Sequence, residues 1–139
     1  MKKISEFIII DDDATANLLC GIIIKHILGR DTKIKTFVLA DHAVNYLKEI
    51  PRDAGWNTVV FLDINMPVTT GWDALKLLDK LDEDLKKQLT IFMFSSSIDP
   101  NDKLRAMAQV FYRLLNLSLK PYPRCDRPFA VQNAWLILL

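Results

Sequence analysis

The sequence predicts an α/β fold, a three-layer, doubly wound, five-stranded parallel sheet, and three observations carry that expectation. Short apolar runs alternate along the chain with segments of helical period, the pattern of successive βαβ units. The most apolar run, Val59-Val60-Phe61-Leu62, shows no polar alternation, as a strand buried on both faces requires. Polar residues that suit one chemistry close the runs: Asp11-Asp12, Asp63, Ser95 and Lys120. Open parallel sheets hold their ligands at that edge.

Length and composition bound the rest. The 139 residues, half of them apolar and a quarter charged, suit one globular domain over 1–139 with a good core. A formal net charge of +1 gives no electrostatic reason to expect nucleic acid or an anionic membrane as partner. The two cysteines, Cys20 and Cys125, form no disulfide framework and no metal pattern, which suits a reducing compartment. The first apolar run ends at Asp11, too early for a signal peptide or a membrane span. A cytoplasmic protein is expected.

In chain order, Phe7-Ile8-Ile9-Ile10 reads as the first strand and runs into Asp11-Asp12-Asp13. A helix follows to Leu28, with Leu19, Ile23 and Ile27 as its apolar face and Gly29 as its cap. Lys33 to Val38 alternates polar and apolar, so it suits an edge strand. Asp41 can cap the second helix, with Val44, Leu47 and Ile50 on one face until Pro51. The Val59 strand ends at Asp63. Gly71 opens a third helix with Leu75, Leu78 and Leu81 on one side, and Asp82-Glu83-Asp84 with Lys86-Lys87 read as a solvated connection. Residues 90–94 form the fourth strand, ended by Ser95. Asp99-Pro100 starts a further helix. Residues 115–119 read as the fifth strand, ended by Lys120-Pro121. With strand two as the amphipathic edge, the expected order is 2-1-3-4-5, the flavodoxin-like arrangement. Its switch point between strands one and three is flanked by Asp11, Asp12 and Asp63.

Several carboxylates in one pocket repel unless a cation neutralises them, and the hard, oxygen-seeking ion that fits is Mg²⁺. A carboxylate can also attack a phosphoryl group to give an aspartyl phosphate. Such a transfer needs its equatorial oxygens neutralised by a metal on one side and by a cation and hydroxyl on the other. Taken singly, each residue has a bland role: helix cap for the Asp11–Asp13 run, loop for Ser95, solvated surface for Lys120. Their common edge is harder to explain that way.

These residues resemble the receiver domain of two-component response regulators, the CheY-like superfamily, over residues 7–122. The resemblance rests on Ile10-Asp11-Asp12, on Leu62-Asp63-Ile64-Asn65-Met66-Pro67 with Gly71, on Ser95, and on Lys120-Pro121. It implies that Asp63 is the phosphoacceptor. Asp12 and Asp63 would ligate Mg²⁺ by side chain, Asp11 through water and Asn65 through its backbone carbonyl. Ser95 would move onto the phosphate with Lys120 as its cationic partner, and the Lys120-Pro121 bond would be cis. The phosphoryl donor would be a sensor histidine kinase or a histidine phosphotransfer protein, and the output a conformational change read by a downstream protein. No enzyme activity beyond self-phosphorylation and autodephosphorylation is implied. Two positions depart from the family pattern: Thr70 replaces the usual acid before the glycine, and Leu117 stands at the usual aromatic switch. No effector region follows the residues that carry the resemblance, so a stand-alone response regulator, or a receiver excised from a larger protein, is expected.

Two rival readings use the same residues. Asp11-Asp12-Asp13-Ala14-Thr15 is similar to the nucleophile motif of haloacid-dehalogenase-type phosphatases, but that reading leaves Asn65-Met66-Pro67 and Gly71 unexplained. A degenerate receiver that binds partners without phosphorylation has no need of the retained acids, Ser95 and Lys120. The family pattern breaks in the atypical segment 122–139, where Pro121, Pro123 and Pro128 delay any helix to about Phe129. The expected late helix is nearly all apolar; either it leaves part of Trp135 to Leu139 exposed, a contact for a homodimer, or all of it packs inside the monomer.

Overall fold

The structure, a computed structural model, describes residues 3–53, 55–94 and 134–137. Its strands are β1 (Lys3–Ile10), β2 (Ile34–Phe37), β3 (Trp56–Asp63), β4 (Leu89–Phe94) and β5 (Ala134–Ile137). Its helices are α1 (Ala14–Leu28), α2 (Ala40–Glu49), α3 (Gly71–Asp79) and the single turn α4 (Glu83–Lys86). Strands β1 to β4 pair in parallel in the order 2-1-3-4, and β5 adds in parallel beside β4.

The order dictates the layers. The step from β1 to β2 runs toward one edge, whereas the steps from β2 to β3 and β3 to β4 run toward the other. Right-handed crossovers therefore put α1 on one face and α2 and α3 on the opposite one. Side-chain packing follows this division. Phe7, Ile9, Val59, Phe61 and Phe92 meet Ile24 of α1. Ile8, Ile10, Val60, Leu62, Ile91 and Met93 share a core with Leu47 of α2 and Leu75 and Leu78 of α3. Successive strand residues point to opposite faces, so a strand covered on both sides must be apolar throughout. On the α1 face the Phe7, Phe61 and Phe92 rings form a ladder across three strands, with centroids 6.0 and 5.9 Å apart.

Several local expectations are corrected. The inward face of α1 centres on Asn17, Cys20, Gly21, Ile24 and Leu28; of the three residues expected there Ile23 is half-buried, while Leu19 and Ile27 are exposed. Almost every position of this helix from Leu18 on is apolar, so periodicity carries no phase. Asp41 does not cap α2. Leu39 is the N-cap, without a side-chain bond, and Asp41 lies in the first turn, where its charge still complements the helix dipole. Asp82, Glu83, Asp84 and Lys87 are exposed as a solvated connection requires, but the connection is also a helical turn: Asp82 caps α4, and Leu85 between the acids and the lysines is buried. Strand β1 begins at Lys3, four residues before the apolar run, with a register shift between Ile4 and Glu6.

The largest correction concerns the C-terminal segment. Residues 134–137 form a strand paired Ile91↔Ala134 through Phe94↔Ile137, not part of a helix from about Phe129. A short run with no polar face is better satisfied as a strand inside a sheet than as a surface helix, which needs one. The exposed helix end that suggested a homodimer contact is therefore absent over these residues. The strand expected at 115–119 and the helix expected from Pro100 lie outside the described residues.

Candidate functional site

The β-sheet register brings the acids together. Ile10 pairs with Leu62, so the two chains leave the sheet at the same level and place Asp11 beside Asp63. On the other side Asp63 pairs with Phe94, the last residue of β4. One carboxylate oxygen from each of Asp11, Asp12 and Asp63 lies within 4.8 Å of the other two. Asp11 and Asp63 are buried and Asp12 is exposed, which makes the cluster a half-open cup facing solvent on one side.

The turn after β1 separates three consecutive acids by role. Asp13 is the N-cap of α1: its Oδ1 accepts from the backbone N–H of Thr15 at 2.8 Å and of Ala16 at 3.4 Å. The Asp11 Oδ1 accepts from the N–H of Asp13 at 2.9 Å, which closes the turn. Asp12 is thereby turned outward at the mouth of the cup. After β3, the Asp63 Oδ1 accepts a long bond from the N–H of Asn65 at 3.4 Å. Gly71 donates its N–H to the carbonyl of Ile64 at 2.8 Å and draws the start of α3 back against the end of β3.

The donor set fits a divalent cation. Three carboxylates so close are mutually repulsive, and an all-oxygen cup with an open side matches the demands of Mg²⁺, which retains several waters. Beside Asp12 a shallow groove runs between Val38-Leu39-Ala40 and Met66-Pro67-Val68-Thr69 and encloses about 40 Å³. Small-molecule pockets span roughly 300–1,000 Å³, so this groove gives no enclosed seat to an organic substrate.

Of the residues expected in the site, the structure brings together Asp11, Asp12 and Asp63, with Asn65 two residues further along the chain from Asp63. Ser95 and Lys120, with the Lys120-Pro121 bond and Leu117, lie outside the described residues. Two positions carry more than their sequence signal. Gly71, which reads as a helix opener, is a point of close backbone approach. Asn17 belongs to no motif. Its signal in the sequence is a polar residue one turn into a helix that is otherwise apolar on that side.

No family model matches the chain, and no curated protein sequence does. Solved structures do. A two-component response regulator from Cytophaga hutchinsonii is 30% identical, with 78% of this chain and 80% of that one covered and a TM-score of 0.58. The chain belongs to the two-component response regulators. Its fold is the CheY-like receiver fold. A receiver protein from Dyadobacter fermentans is 28% identical over 74% of this chain and 77% of that one, with a TM-score of 0.55. A CheY-like receiver from Methanospirillum hungatei is 21% identical, covers 81% and 97% and has a TM-score of 0.56, a likeness of fold. In this receiver the clustered acids can hold a divalent metal next to the strand-end Asp63. Among the described residues no helix is long and apolar enough to cross a membrane.

Proposed function

We propose that this receiver accepts a phosphoryl group on Asp63 from a histidine kinase or histidine phosphotransfer protein and passes the signal on through a change of shape. The observation that supports this best is the acid cup itself, Asp11, Asp12 and Asp63 within 4.8 Å at the end of the central strands. The side chains of Asp12 and Asp63, Asp11 through water and the backbone carbonyl of Asn65 would hold Mg²⁺. When bound, this ion supplies neutralising charge to the phosphoryl oxygens.

In the transfer an Asp63 carboxylate oxygen attacks phosphorus in line with the departing imidazole nitrogen. The P–N bond breaks as the P–O bond forms, and the imidazole leaves with its electron pair. Burial of Asp63 favours this role, because a nucleophile held in a partly dry site needs little reorganisation. Ser95 would then hydrogen-bond the new phosphate and Lys120 would pair with it. Their displacement would be read on the helix from Pro100 and on residues 115–119, which follow them in the chain. With Leu117 in place of an aromatic ring, the readout would run through backbone and loop shifts. The protein would work in the cytoplasm, as one receiver domain over 1–139.

The test is Mg²⁺-dependent labelling from a small phosphodonor. Labelling should be stoichiometric, abolished in Asp63→Asn and strongly reduced by chelator. Ser95→Ala and Lys120→Ala should keep some labelling yet lose the accompanying change in amide exchange. Continuous turnover of a phosphomonoester would point instead to the phosphatase reading.

A further inference from the structure

Asn17 is buried to 4% exposure on α1, directly beneath the acid cup. Its Nδ2 donates to the carbonyl oxygen of Asp11 at 2.8 Å and, more weakly, to that of Phe37 at 3.4 Å. Its own backbone N–H donates to the carbonyl of Asp13 at 3.0 Å. One residue therefore ties together both ends of the acidic turn and the end of β2. Its remaining polar atom, Oδ1, is buried and finds no hydrogen-bond partner among the described residues.

That orphan acceptor distinguishes two explanations. A buried polar atom without a partner is destabilising, so an asparagine chosen for fold stability alone would be a poor choice here. The amide cannot be turned round to remedy it, because Oδ1 would then face two carbonyl oxygens. The side chain is present for its donors. Those donors hold the Asp11 carbonyl, and with it the peptide plane that leads into Asp12. The direction in which Asp12 leaves the chain depends on that plane.

We infer that Asn17 is a positioning residue for the metal site: it holds the Asp11–Asp12 peptide so that the two carboxylates converge with Asp63 before any ion arrives. This rests on the receiver reading of the acid cup. Residues that orient metal ligands through a hydrogen bond commonly change metal affinity without touching the ion.

The experiment is a calorimetric Mg²⁺ titration of the full chain, with thermal unfolding of the metal-free protein measured in parallel. Asn17→Ala should raise the Mg²⁺ dissociation constant by about tenfold, the lower end of what such partners contribute. Asn17→Leu, which keeps the branching at Cγ without a donor, should do the same and serves if the alanine variant does not fold. Ile24→Val, on the same buried face of α1, loosens packing without touching the turn and should leave Mg²⁺ affinity unchanged. Wild-type affinity in a folded Asn17 variant, or an equal loss in Ile24→Val, would overturn the inference. Wild-type protein that takes up no Mg²⁺ would instead remove the reading of the acid cup as a metal site on which it rests.

Discussion

Gly71 lies so close to the backbone of Asp63 that a Cβ on it would stand 2.5 Å from the Asp63 carbonyl oxygen and 2.6 Å from the Cα of Ile64. No side chain fits there unless the end of β3 moves. Overpacking of this kind typically costs about 1–3 kcal/mol. Gly71→Ala should lose stability in that range by urea unfolding. It should also slow Mg²⁺-dependent labelling, since the displaced backbone carries Asp63. Wild-type rates with wild-type stability would show that the contact is relieved elsewhere.

Thr70 departs from the family pattern, and the structure gives it a job. It is the N-cap of α3: its hydroxyl accepts from the Asp73 N–H at 3.2 Å, and the Asp73 carboxylate accepts from the Thr70 hydroxyl at 2.8 Å and N–H at 3.3 Å. Thr70→Ala should cost about 1 kcal/mol in chemical unfolding. The Thr70 hydroxyl bond, with help from its N–H and from Lys76, lowers the pKa of Asp73 below its ordinary 3.8. A depressed pKa in the fold contributes stability that is present above the unfolded value and lost as pH falls through the folded one. Wild type should thus lose more stability than Thr70→Ala on acidification below about pH 4. Parallel losses would contradict the cap.

Tyr46 on α2 donates its hydroxyl to Glu6 of β1 at 2.8 Å, and the Lys35 ammonium lies 5.7 Å from its ring centroid. Burial, then the bond to Glu6 and its charge, push the phenol from 10.0 up to about 12. The folded state holds this proton more tightly than the unfolded chain. Its contribution is complete below pH 10 and is lost between 10 and about 12. Unfolding titrations should therefore fall more steeply with pH in wild type than in Tyr46→Phe across that window. Equal slopes would mean that burial and the bond to Glu6 do not raise the phenol in solution.

The first four strands and the acid cup were legible because each rests on a strong local cue. Val59 to Leu62 can be nothing but a buried strand, and Asp11, Asp12 and Asp63 end strands whose register follows from the topology. What was not legible required a second level of structure. The facing of α1 is set by the sheet beneath it, since Leu18, Leu19 and Ile22 are as apolar as Ile24 and remain exposed. The strand at Ala134–Ile137 is stabilised by an open edge on β4, a long-range partner that no local pattern announces. Gly71 and Asn17 matter through backbone atoms of distant residues, and composition does not display such contacts.

The central claim is that Asp63, among three neighbouring acids, is the one that reacts. The most direct measurement is mass spectrometric mapping of the phosphoryl group after incubation with Mg²⁺ and a small phosphodonor, with the acyl phosphate trapped by borohydride reduction. A single modified aspartate at Asp63, absent in Asp63→Asn, is the result expected. Modification of Asp11 with Asp63 untouched would contradict the account.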